Sequence, residues 1–130
     1  MPIPLLLTVG LHIAASAFWL LTSLVLGFGA AAEASRRMFR PQMVAATLTV
    51  FAGGGLWTIL HPIGFGRPEM VLASGAVLAI AAAGVQGAMV GGPVRRLPDE
   101  AAAAKVVRGQ KIAAVLLVLA LACMMIARRV

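Results

Sequence analysis

Acidic residues are almost missing from this chain. Four Asp and Glu stand against eleven Lys and Arg, and charged residues of both signs make up only 12% of its 130 positions. None of these charges falls in the middle of a long apolar run. That removes the intramembrane carboxylate on which proton-coupled pumps and exporters rely. It also removes the paired acids of general acid–base chemistry, and neither a Gly-rich phosphate loop nor a Ser/His/Asp arrangement is visible. Cysteine occurs once, at Cys123, so no intrachain disulfide can form and the redox compartment stays open. A lone thiol in an apolar helix reads first as a small packing residue, with metal ligation as the alternative.

What fills the space instead is hydrocarbon, since 62% of the residues are hydrophobic. Soluble domains are about half apolar and about a quarter charged. So small a globule could not hide this much apolar surface. The expected class is therefore an all-α integral membrane bundle, a single domain of four transmembrane helices near residues 4–32, 41–62, 68–92 and 110–128.

Several local signals mark those spans. Pro4 suits a first helical turn, and the run that follows is too long, and too poor in preceding positive charge, for a cleaved signal peptide. Pro41 is expected to open the second helix, and Gly53, Gly54 and Gly55 in its centre read as a packing notch, with a local break as the alternative. Along the third helix Gly75, Ala79, Ala82 and Gln86 share a face and make a small-residue seam. Gln86 ends that seam as interhelical glue. Gly91, Gly92 and Pro93 stop the third helix and open a polar loop over residues 93–109. Asp99 is the expected N-cap of a mixed extension, 101–110, surface-lying or overhanging, that leads into a short fourth span.

The formal charge of +7 does not point to nucleic acid, because every Lys and Arg lies between or beyond the apolar runs. It points to the lipid bilayer. Arg36, Arg37, Arg40, Arg95 and Arg96 are placed to meet anionic headgroups at about 1 kcal/mol each. With Lys105, Arg108 and Lys111 they put eight cations on the first and third connections, against Arg67, Arg128 and Arg129 on the other side. The positive-inside rule then predicts a multi-pass inner-membrane protein with both termini extracytoplasmic. A homo-oligomer or a larger membrane complex is the expected protein partner.

Chemistry is left to two histidines and their neighbours. His12, Ser16, Trp19 and Ser23 fall within roughly 60° on one helix face, a polar stripe that belongs against protein or water. His61 lies near the end of the second helix, whose own stripe is Thr47, Gly54, Thr58 and His61. If the stripes confront each other, His12 and His61 become metal or cofactor ligands in an outer-leaflet pocket lined by Ser16, Trp19, Trp57 and Thr58. Imidazole suits haem b, copper and zinc. Met70 and Met1 would stand nearest that pocket. The alternative is structural: an intramembrane His that hydrogen-bonds across helices, and a His61 that simply ends one.

The phrase Leu11-His12-Ile13-Ala14-Ala15-Ser16-Ala17-Phe18-Trp19 resembles the first-helix signature of bacterial copper-resistance D-type (CopD-like) membrane proteins. It is also similar to the first helix of the four-span HemJ-type protoporphyrinogen oxidases. The basic 36–40 connection, Gly55-Leu56-Trp57 and Gly92-Pro93 with its following arginines extend the pattern. The resemblance implies a four-helix membrane domain tied to copper import or to haem and porphyrin redox chemistry, with His12 as its ligand. The rival expectation is a non-enzymatic accessory subunit that fills space in a larger membrane complex.

Overall fold

A computed structural model describes residues 2–130. It contains α1 (Ile3–Phe28), α2 (Glu33–Leu60), α3 (Arg67–Gln86) and α4 (Glu100–Ala127), with no strand among the described residues. A π-helical segment, Gly87–Gly91, and a 3₁₀ turn, Pro93–Arg96, carry α3 on towards α4. At 1.5 Å per residue a helix of this size runs about 30–42 Å, enough to cross a ~30 Å hydrocarbon core. All four are long and apolar enough to span a membrane. Large apolar side chains such as Ile3, Leu7, Phe51 and Val77 cover the outside, where lipid rather than water is their natural neighbour.

The helices follow one another through short connections and pack around a ring that is nearly open on one side. α3 packs most extensively on α4, α1 on α2, and α1 on α4, whereas α2 touches α3 only sparsely. The core between them is built from small residues. Ala45, Ala46, Ala79, Ala82, Ala113 and Ala120 surround Trp19 and Leu117. Alanine and glycine let backbones approach, which is how helices associate where lipid removes the hydrophobic drive. At Gly75 an added Cβ would sit 3.2 Å from the Ala120 carbonyl oxygen, and at Gly27 it would sit 2.9 Å from the Lys111 nitrogen. The expected third-helix seam is the buried one: Gly75, Ala79, Ala82 and Gln86 are the buried residues of α3.

Two boundaries differ from expectation. α2 begins at Glu33, so Pro41 lies inside it rather than opening it. An interior proline costs about 3 kcal/mol, and the turns before it are tied down by side-chain bonds, two of them to other elements. Arg36 pairs with Glu33 at 2.6 Å and donates to the Leu97 carbonyl at 2.9 Å, while the buried Ser35 hydroxyl accepts from Gln110. Likewise the fourth helix begins at Glu100 rather than near 110, so residues 101–110 take the overhanging form of the expected extension and not the surface one. They are the first turns of one continuous α4, capped as expected by the Asp99 carboxylate on the Ala102 N–H at 3.1 Å. Ala102 and Val106 bury themselves against Val90, Val94 and Leu97.

Candidate functional site

The polar residues of the spans sort into three places. The largest is a buried amide cluster at the end of the bundle that carries the basic connections. Gln86, the last residue of α3, accepts from the Trp19 indole N–H at 2.6 Å. Its amide nitrogen donates to the Ser23 hydroxyl at 2.8 Å and to the Gln110 carbonyl oxygen at 3.0 Å. Gln110 and Gln42 form a reciprocal pair across α4 and α2, at 2.9 and 3.3 Å. Gln110 also donates to Ser35, Gln42 to Ser23 and Thr22, and Ser23 to the Trp19 carbonyl.

Trp19, Ser23, Ser35, Gln42, Gln86 and Gln110 are all fully buried. Among the described residues no buried side-chain nitrogen or oxygen lacks a partner. Each amide nitrogen has at least two acceptors, so the three glutamines, one each from α2, α3 and α4, close on one another and on α1. Such a network holds no charge and leaves none of its buried nitrogen or oxygen atoms without a partner. Its chemistry is orientation: an amide satisfied on every side fixes how four helices face one another.

Trp19 therefore belongs to this cluster and not to a histidine pocket. Gln86 does act as interhelical glue, but Gln42 and Gln110 are its equals and were not among the expected residues. A signal for them exists in the helical spacing. Ala45, Ala46, Thr49 and Ala52 follow Gln42 at three, four, seven and ten residues, and all are buried. Val106, Ala113, Ala114 and Leu117 bracket Gln110 in the same way.

The second place is the imidazole of His12, half-buried between α1 and α2. Its Nδ1 lies 2.9 Å from the Thr49 carbonyl oxygen. That oxygen can only accept, so Nδ1 carries the proton and Nε2 is the ring's free lone pair. Gly53 makes room for the ring: a Cβ there would stand 3.0 Å from Cε1. This is the packing notch expected of the glycine triplet, supplied by one glycine alone, since Gly54 and Gly55 meet open space. The helix does not break there.

The third place is the α2–α3 turn. His61 Nδ1 lies 2.7 Å from Glu69 Oε1, and the second oxygen of Glu69 accepts from the Gly66 N–H at 2.8 Å. Trp57 packs on His61 with ring centroids 5.6 Å apart, and Phe65 extends the stack at 6.4 Å. One carboxylate thus closes the turn, starts α3 and orients the imidazole.

His12 and His61 engage different partners. Gly53, the residue against His12, precedes His61 by two helical turns, about 12 Å along α2. The other expected lining residues do not join them. The Ser16 hydroxyl donates to the His12 carbonyl of its own helix, and the Thr58 hydroxyl to Gly55 at 2.8 Å. Thr47, Gly54 and Thr58 are exposed, so the stripe expected on α2 faces outward. The face that meets the bundle carries Gln42, Ala45, Ala46, Thr49 and Ala52. Met70 is exposed, and Met1 lies outside the described residues. No family model, curated protein or solved structure matches this chain.

Proposed function

We propose that this is a small inner-membrane protein whose imidazoles present Nε2 to a metal centre, with His12 the principal ligand. One observation carries the reading. Both rings are oriented through Nδ1 by a fixed acceptor, the Thr49 carbonyl and the Glu69 carboxylate. Metal-ligating histidines are held in this manner, because the partner of one nitrogen selects the tautomer and aims the other.

The donor set favours haem b over a copper cage. Among the described residues no three His, Cys, Asp or Glu gather as a metal cluster. A haem could be held by one or two imidazoles, whereas a protein-held copper or zinc ion draws on several ligands. His12 and His61 are thus read as two single donors rather than one chelate. When bound, the group would supply electron-transfer or oxygen chemistry; the chain's part is to hold the His12 ring in one plane and tautomer. Under positive-inside, the connections bearing Arg36–Arg40 and Arg95–Arg96 lie in the cytoplasm and both termini outside it.

The test is a visible spectrum and metal analysis of the full-length protein extracted gently from native membrane. A Soret band that is lost in His12→Ala and kept in His61→Ala is the expected result. Copper in place of haem, lost with either histidine, would move the reading to the copper arm. Wild-type protein with neither group, or a band indifferent to His12→Ala, would overturn it. A second reading, an accessory subunit, is favoured by the sparse contact between α2 and α3, a seam where a partner's helix has room. The same extraction would then recover a stoichiometric partner.

A further inference from the structure

The outer surface of the α1–α2 seam carries a groove of about 590 Å³ whose walls are nearly all hydrocarbon. Ala14, Ala15 and Ala45 line it, and their small side chains leave a trough between larger neighbours. Phe18 and Leu48 line it too, and Arg40 stands at one end of its α2 stretch. From Arg40 to Leu48 the groove follows α2 for about 12 Å. It therefore runs along the helices, the direction in which a lipid chain lies beside a spanning helix.

The charge at its mouth is unspent. Arg36, one turn earlier, is occupied by Glu33 and by the Leu97 carbonyl. Arg37 and Arg40, three residues apart on one helix face, have no acidic partner among the described residues, where Glu33 and Glu69 are the only carboxylates in ion pairs. Two free guanidiniums above an apolar trough complement a phosphate above an acyl chain. Guanidinium binds phosphate through paired N–H donors.

We infer that this groove is a binding site for one anionic phospholipid, its chain against Ala14, Ala15 and Ala45 and its phosphate on Arg40 with Arg37. The inference is independent of the histidine reading and stands or falls apart from it. A zwitterionic lipid would match the trough but would bring no net charge to the two arginines.

The full-length protein, taken into mild detergent from vesicles of phosphatidylcholine alone or mixed with phosphatidylglycerol, is weighed by native mass spectrometry. One phosphatidylglycerol per chain should be retained, in preference to phosphatidylcholine. Arg40→Gln should weaken retention about fivefold, the equivalent of the about 1 kcal/mol a basic residue contributes at a membrane surface. Ala14→Phe fills the trough from an exposed position and should weaken it at least as much, while Arg95→Gln on the other basic connection should leave it unchanged. Equal retention of both lipids would overturn the proposal, as would an Arg40→Gln protein that behaves as wild type or an Arg95→Gln loss as large as that of Arg40→Gln. So would a lipid-free dimer that Ala14→Phe dissociates, since the groove would then seat a second copy of the chain.

Discussion

Replacing Gln110 by leucine tests whether the amide cluster holds the bundle together. Leucine nearly matches the volume, so the change removes hydrogen bonds rather than opening a cavity. Four bonds go: two accepted from Gln86 and Gln42, and two donated to Ser35 and Gln42. Interhelical bonds in membrane proteins average about 0.6 kcal/mol, which sets a floor near 2 kcal/mol for the four. The partners left behind are fully buried, and an orphaned buried polar group costs about 1–3 kcal/mol. Some of them regain partial pairing, because Gln42 keeps Thr22 and Ser23 and Gln86 keeps Trp19 and Ser23. The expected loss is therefore about 2–4 kcal/mol, read as a shift in reversible unfolding by denaturing detergent in mixed micelles. Gln42→Leu should destabilise through the same reciprocal pair. The double variant should cost about 1 kcal/mol less than the sum of the singles, because the two shared bonds are lost only once. A Gln110→Leu protein within about 0.5 kcal/mol of wild type, or strict additivity of the pair, would refute the account of the cluster as one closed network.

The glycines divide into those that meet a neighbour and those that do not, and substitution should separate them. Gly27→Ala forces a Cβ against the Lys111 backbone of α4 and should destabilise by about 1–3 kcal/mol. Gly10→Ala, on the same helix with nothing near it, should be neutral or stabilise by up to about 1 kcal/mol; unfolding midpoints of the two variants decide. Gly53→Leu must displace the His12 ring from Thr49, whereas Gly54→Leu meets open space. The imidazole proton signals of His12 should shift strongly in the first variant and hardly in the second.

The helices, the α3 seam and the Asp99 cap were legible because each rests on spacing along a single helix. So was the buried half of the α1 stripe, where Trp19 and Ser23 face protein as a polar stripe in a membrane should. Gln42 and Gln110 were hidden by their surroundings. Gln42 follows Arg40 and Pro41, and Gln110 lies between Arg108 and Lys111, so each stands at the very edge of an expected span, where a polar side chain draws no notice. Once α2 is seen to begin before Pro41 and α4 at Glu100, each glutamine falls on the buried face of its helix. The α2 stripe misled for a different reason. Thr47 and Thr58 return their hydroxyl protons to the carbonyls of Met43 and Gly55. A threonine that is satisfied within its own helix can face lipid at little cost, so its presence does not mark the protein-facing side. Periodicity then offers two faces of α2, and only the partner helices choose between them.

The choice of amides over charges at the core follows from the same setting. A buried ion pair in a bilayer must offset the desolvation of both partners, and removing either leaves an unpaired charge. A glutamine brings two donors and an acceptor without ionising, so three of them on three helices are satisfied by one another, by two serines and by Thr22 and the Trp19 indole at any physiological pH. That cluster commits the basic end of the bundle to one packing. The histidines lie away from it, His12 against Thr49 and Gly53 and His61 on the opposite turn, each aimed by a single acceptor rather than locked on both nitrogens. The amide cluster and the two imidazoles thus occupy different levels of the same four helices. A substitution that loosens the amides should lower stability without changing which ring nitrogen His12 offers, because Thr49 lies two helical turns beyond Gln42 and makes none of the cluster's bonds.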